Sequence, residues 1–167
     1  MSNFIVNIDE SNAAQLLIDE SHKRPVVVDF WADWCEPCKT LMPLLEKIAT
    51  EYDGAFLLAK VNADEQQGIA QQFGVRSLPT VMVIQGGQPV DGFAGAQPEN
   101  QVRQMLEKYL PKPWDGLLQL AQEAMADGDF AGALSPLRHA WEDSDHRLDI
   151  TLTYAHALIE SLRLDEA

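Results

Sequence analysis

The sequence predicts an α/β fold, a mixed central sheet flanked by helices, followed by an all-α segment of repeated helices. Three observations carry that expectation. Short β-branched or apolar runs alternate with stretches of helical spacing through the first part of the chain. A Gly86-Gly87 turn joins two strand-like runs. Nothing after Pro111-Lys112-Pro113 reads as a strand. The 167 residues suffice for one ordinary domain or two small ones with a real core. At 46% hydrophobic and 23% charged residues, the composition is that of a folded chain and not of a disordered one.

Element by element, Phe4 to Ile8 reads as a short strand, Ser11 as an N-cap, and Ala13 to Ser21 as a helix by its apolar spacing. Val26 to Trp31 is apolar on both faces, as a central parallel strand must be. Cys38 to Tyr52 is helical, with Leu41, Leu44, Leu45 and Ile48 on one face and Asp53-Gly54 as the stop. Pro43 inside it marks a kink. Phe56 to Val61 is a strand, Gln66 to Phe73 a short helix, Thr80 to Ile84 and Pro89 to Phe93 a hairpin, and Pro98 to Leu110 a last helix. The order β-α-β-α-β-α-β-β-α, with right-handed crossovers between parallel strands and a hairpin at the far edge, gives a small mixed sheet covered on both faces.

The division expected is residues 1–110, a linker at 111–113, and residues 114–167. In the last part Leu117, Leu120, Ala121 and Ala124 recur at helical spacing, as do Ala133, Leu137 and Ala140, with a Gly128-Asp129 turn between. Ala121, Phe130 and Ala133 return as Ala155, Leu164 and Ala167, an offset of 34 residues. That period and the small and large residues at these positions resemble tetratricopeptide helix pairs, although the proline usual near a repeat's end is missing. Such repeats cover their apolar faces by stacking, so the sequence is expected to be a shortened version of a longer array.

Charge narrows the function. Lys plus Arg number 12 against 26 Asp plus Glu, a net charge of -14, with no basic patch in either part. That balance argues against nucleic acid and against anionic lipid as partners. The N-terminal residues lack a basic stretch followed by an apolar one, and no apolar run approaches a membrane span, so a cytoplasmic location is expected. The four histidines are scattered without ligand spacing.

The chemistry lies in Trp34-Cys35-Glu36-Pro37-Cys38-Lys39, where a strand ends and a helix begins. Unpaired N–H groups and the positive dipole end of a helix favour thiolate over thiol, which makes Cys35 the candidate nucleophile. Pro37 at the helix start and the two-residue spacer bring Cys38 within disulfide distance as the resolving thiol. Two cysteines without a nearby histidine fall short of the four ligands of a structural zinc site, so no metal is expected. The redox group is then the reversible Cys35–Cys38 disulfide itself, with no other cofactor. Glu36 suits the helix dipole but opposes a second negative charge on Cys35.

Residues 1 to about 110 resemble the thioredoxins in this loop and in the order of elements. Further positions match one by one: Asp29, Lys60, Pro43, Pro79 and Gly95. Asp29 lies in a strand apolar on both faces, where burial should raise its pKa and make it a base. The resemblance implies that Asp29 takes the proton of Cys38, with Lys60 as its partner. It implies a cis bond before Pro79 and a substrate groove lined by Trp34, Pro37, Leu78, Pro79, Gly95 and Ala96, where an extended segment can bind beside Leu78. Trp31 reads as core packing.

The whole chain resembles the bacterial chaperedoxins, the CnoX or YbbN family, in which a thioredoxin module is joined to helical repeats. That resemblance implies a combined role: thiol–disulfide exchange with unfolding or oxidised client proteins, holdase activity, and delivery to the GroEL chaperonin or the DnaK system, with thioredoxin reductase as a further partner. The alternative is a general thioredoxin-type disulfide reductase whose repeats only dock a partner.

Overall fold

The structure, a computed structural model, describes residues 3–165, with side chains to residue 163. It divides into two compact units between Leu110 and Pro111.

The first unit is built on five strands: β1 (Ile5–Asn7), β2 (Val26–Trp31), β3 (Leu57–Asn62), β4 (Thr80–Gln85) and β5 (Gln88–Ala94). Their spatial order is β1-β3-β2-β4-β5, so β2 is central. β1 and β2 run parallel to β3, while β4 is antiparallel to β2 and to β5. Alternation along the strands sends side chains to two separate cores. On one face Val27, Leu58, Val81 and Val83 pack under α1 (Glu36–Glu51) and a later helix spanning Glu99–Glu107, through Leu41, Leu45, Ile48, Val102 and Leu106. On the other face Val26, Val28, Phe30 and Val61 meet Leu17, Ile69 and Ala70, the last two from α2 (Gln67–Gln72). The Glu99–Glu107 helix is α3.

The segment expected to be a regular helix over Ala13 to Ser21 is a π-helical stretch, Ala14–Asp19, running into a 3-10 turn, Glu20–His22. Apolar residues at positions 13, 14, 16, 17 and 18 satisfy either winding, so spacing could not separate them. The end of the segment is held by tertiary bonds: Gly86 donates its N–H to the Ser21 carbonyl at 2.9 Å and Gly87 donates to Ser21 Oγ at 2.8 Å. Ser11 is not the cap. Asp9 is, accepting the N–H of Ser11 at 2.8 Å and of Asn12 at 3.2 Å through Oδ1. At the end of α1, Asp53 and Gly54 both have positive φ, 45° and 87°, a left-handed stop that glycine adopts freely. Pro43 lies inside α1 with its ring exposed.

The second unit holds α4 (Asp115–Ala126), α5 (Phe130–Asp143) and α6 (Leu148–Asp165). Asp129 caps α5 by accepting the Gly132 N–H at 2.9 Å. The small core joins Ala121, Ala133, Leu137 and Ala157, with Leu118 and Tyr154 against it. α4 therefore packs through Leu118, whereas Leu120 is exposed. Ala155, the counterpart of Ala121 at the 34-residue offset, is exposed while Ala157 is buried. α6 turns Ile150, Tyr154 and Ala157 inward, so its packed face is rotated from the one the offset marks. Ala167 and the side chain of Leu164 lie outside the described residues. Among the described residues no helix is long and apolar enough to cross a membrane.

Candidate redox site

β2 delivers the chain to the edge of the sheet and α1 carries it away, so the turn between them holds Cys35 at the mouth of a 16-residue helix. Cys35 is the N-cap, in extended geometry (φ -86°, ψ 101°), and Pro37 occupies the first turn, where a missing N–H costs nothing. The Cys38 backbone N–H donates to Cys35 Sγ at 3.3 Å. The sulfur thus takes the place of the side-chain oxygen of an ordinary N-cap, with the helix dipole behind it. A negative charge on Cys35 Sγ is stabilised there; Cys38 Sγ, one turn further in, has no such donor among the described residues.

In the structure the two cysteines are joined in a disulfide, with Cα atoms 5.3 Å apart. Both are buried in this state, 3% and 1% exposed, so exposure does not distinguish them and the backbone N–H does. Ala32, Trp31 and Leu78 pack around the pair. Glu36, expected to oppose the thiolate, is ion-paired with Lys39 at 2.6 Å, which moderates its charge only slightly because both groups are exposed.

Asp29 lies between Val27 and Trp31 on the face of β2 that α1 covers. It is 1% exposed, and neither carboxylate oxygen has a hydrogen-bond partner. Burial pushes its pKa up to about 7; Lys60 pulls it down and Glu46 raises it, both as smaller effects. Trp31, two residues on along the same face, packs against the disulfide cluster, so the acid lies one step further down that face of β2 from a residue touching the sulfurs. Lys60 is its register neighbour on β3. Its ammonium, however, donates not to Asp29 but to Glu46 Oε1 on α1, at 2.9 Å. The expected Asp29–Lys60 pair is thus a through-space attraction and not a bond.

Three loops meet beside the disulfide. The Leu78–Pro79 bond is cis, Leu78 packs against the cysteines, and Gly95 donates its N–H to the Pro79 carbonyl at 2.8 Å. Gly95 has φ 84° with open space where a side chain would begin, and Ala96 beside it is exposed. Trp34 is 66% exposed, and its indole N–H donates to Asp64 Oδ2 at 2.8 Å. Trp34 and Leu78 rim a cavity of about 380 Å³ whose polar lining includes Asp64, Gln67 and Arg76. Pro37 is exposed, whereas Pro79 is buried. Sequence reading missed Glu46, Asp64 and Arg76. The only local signal for Asp64 is the Asn62 turn, whose Oδ1 accepts the Asp64 N–H at 3.0 Å and so presents the carboxylate to Trp34.

In the reduced protein, iodoacetamide near neutral pH is expected to label Cys35 at least about tenfold faster than Cys38, since thiolate fraction sets the rate. Peptide mapping of a time course measures this, and equal rates would refute the assignment.

A family model described as thioredoxin matches residues 5–108. Thioredoxin 1 of Nostoc sp. is 49% identical over 106 residues, which span 59% of this chain and 99% of that protein. Thioredoxin 2 of Chlorobaculum tepidum is 39% identical over 102 residues, 61% of this chain and 91% of its own length. Among solved structures, a mutant thioredoxin from Halobacterium salinarum aligns with a TM-score of 0.58 at 29% identity, covering 66% of this chain and 94% of the other.

Proposed function

Because the chain belongs to the thioredoxin family and is a thioredoxin-type redox protein with a Cys-x-x-Cys pair, we propose that it reduces protein disulfides by dithiol–disulfide exchange. The observation that carries this reading is the Cys38 N–H on Cys35 Sγ at the mouth of α1. In the reduced protein the Cys35 thiolate attacks one sulfur of a substrate disulfide, and the other substrate sulfur leaves as a thiolate. Cys38 gives its proton to the Asp29 carboxylate and attacks Cys35 Sγ. The mixed disulfide breaks, the second substrate thiolate leaves, and the Cys35–Cys38 bond forms. Two electrons pass from this dithiol to the substrate, and no other cofactor is needed. Trp34, Pro37, Leu78, Pro79, Gly95 and Ala96 form the surface on which an extended substrate segment lies, with main-chain bonds beside Leu78. Thioredoxin reductase is the proposed source of electrons, and the cytoplasm the proposed compartment, with neither nucleic acid nor membrane as partner.

A second reading adds holdase activity, as in the chaperedoxins, and a specific feature favours it. α6 exposes Leu148, Leu152, Ile159 and Leu162, which recur along one side of the helix. An exposed apolar row of that kind suits unfolded, apolar segments. On this reading the helical unit is a tetratricopeptide-type module that holds unfolding clients, whose thiols the cysteine pair protects, before transfer to GroEL or the DnaK system.

The two readings separate in one pair of assays on the full chain. Dithiothreitol-driven insulin reduction is expected to be accelerated, and the acceleration is expected to vanish in Cys35→Ser; absence of any acceleration would refute the reductase reading. Suppression of aggregation of a heat-unfolding client, retained when both cysteines are serine, would establish holding, and its absence would leave the reductase alone.

A further inference from the structure

Asp29 is a buried acid with no bond to either oxygen, although a lysine stands beside it in register on the next strand. Lys60 directs its Nζ to Glu46 Oε1 instead, at 2.9 Å. The Lys60 side chain is 18% exposed and that of Glu46 38%, so this pair reaches solvent while Asp29, at 1%, does not. A lysine ammonium is a point charge on a flexible stem with three donors, and two carboxylates here compete for it. Glu46 holds the advantage because its charge stays partly hydrated, whereas ionising Asp29 requires charge in a desolvated site.

We infer that Glu46 is a positioning residue of the redox site: by holding the Lys60 ammonium it keeps that cation from pairing with the Asp29 carboxyl. This rests on the reading of Asp29 as proton acceptor for Cys38. The groups that face Asp29 are few. β3 brings Lys60, α1 brings Glu46 and Cys38, the latter tied up in the disulfide of the oxidised chain, β4 brings only Val81 as the register partner, and its own strand brings Val27 and Trp31. Lys60 favours the ionised acid and Glu46 disfavours it. Removing the Glu46 charge acts twice in one direction: the repulsion is lost, and the cation is released toward Asp29. Both changes lower its proton affinity.

The test follows the Asp29 carboxyl carbon by NMR against pH in the oxidised full chain. Glu46→Gln is expected to lower the titration midpoint by about one pH unit or more, a tenfold loss in proton affinity. Lys60→Met is expected to raise it, and Glu46→Gln placed in the Lys60→Met background to shift it much less, since no cation remains to be released. An unchanged midpoint in Glu46→Gln, or the same shift with and without Lys60, would overturn the inference. The midpoint is read without any thiol chemistry. A lowered midpoint with unaltered Cys38 attack rates would therefore confirm the hold of Glu46 on Lys60 while refuting Asp29 as the base.

Discussion

Cys38→Ser is expected to accumulate covalent complexes with disulfide substrates, released by added thiol, while Cys35→Ser forms almost none. The mixed disulfide at Cys35 can be resolved from within the protein only by a thiol held beside it, and Cys38 has its Cα 5.3 Å from that of Cys35. Intramolecular attack at such range has an effective concentration far above that of any free thiol in solution. Losing it should slow release by at least about 10³-fold. Non-reducing gels of the variant mixed with a disulfide-bonded protein measure the effect. Cys35→Ser retains Cys38, but that sulfur has no helix-mouth N–H to stabilise its thiolate, so first attack is expected to fail. Should the two variants trap substrates equally, the separate roles assigned to the sulfurs would be wrong.

The second large effect concerns Asp29→Asn, and its sign follows from the raised pKa. With a folded value of about 7 against an ordinary 3.8, the native state keeps a proton that the unfolded chain releases. Stability from this group is therefore complete below about pH 4 and declines as pH rises to about 7, where the loss levels off. The total loss is about 4 kcal/mol on the order-of-magnitude scale of 1.4 kcal/mol per pH unit. Asn carries no charge at any pH, so the variant should match the parent near pH 4 and exceed it by a few kcal/mol at pH 8. Carboxylates whose pKa values are lowered, such as Asp9 and Asp91, are common to both proteins and cancel in the difference. Urea unfolding of the oxidised forms at the two pH values measures this, and curves that stay parallel would contradict a raised Asp29 pKa. Resolution by Cys38 should slow by about 10²-fold in the same variant, the usual cost of a lost general base.

What the sequence disclosed was what is local. The cysteine pair, Pro37 and the helix behind them occupy consecutive positions, and helix-terminus chemistry acts within one turn. Asp29 was legible because valines on both sides mark a strand buried on both faces, and the structure seals it as that pattern implies. Glu46 was not legible. It becomes relevant only when α1 crosses β3 and brings it to Lys60, 14 positions away in sequence. Local ambiguity misled in a different way. Asp9 and Ser11 are both good caps two positions apart, and only the start of the first turn selects Asp9. In the helical unit, the 34-residue offset paired Ala121 with Ala155, but how α6 rolls on α5 is set by tertiary packing of Ile150 and Ala157, which period alone does not contain.

The most direct test of the central assignment is a single turnover of the reduced protein with one equivalent of a disulfide-bonded peptide, quenched in acid at millisecond intervals and mapped by mass spectrometry. A transient peptide adduct on Cys35 is expected, decaying as the Cys35–Cys38 disulfide appears. An adduct that forms first on Cys38, or one on Cys35 that persists without giving the intramolecular disulfide, would contradict it.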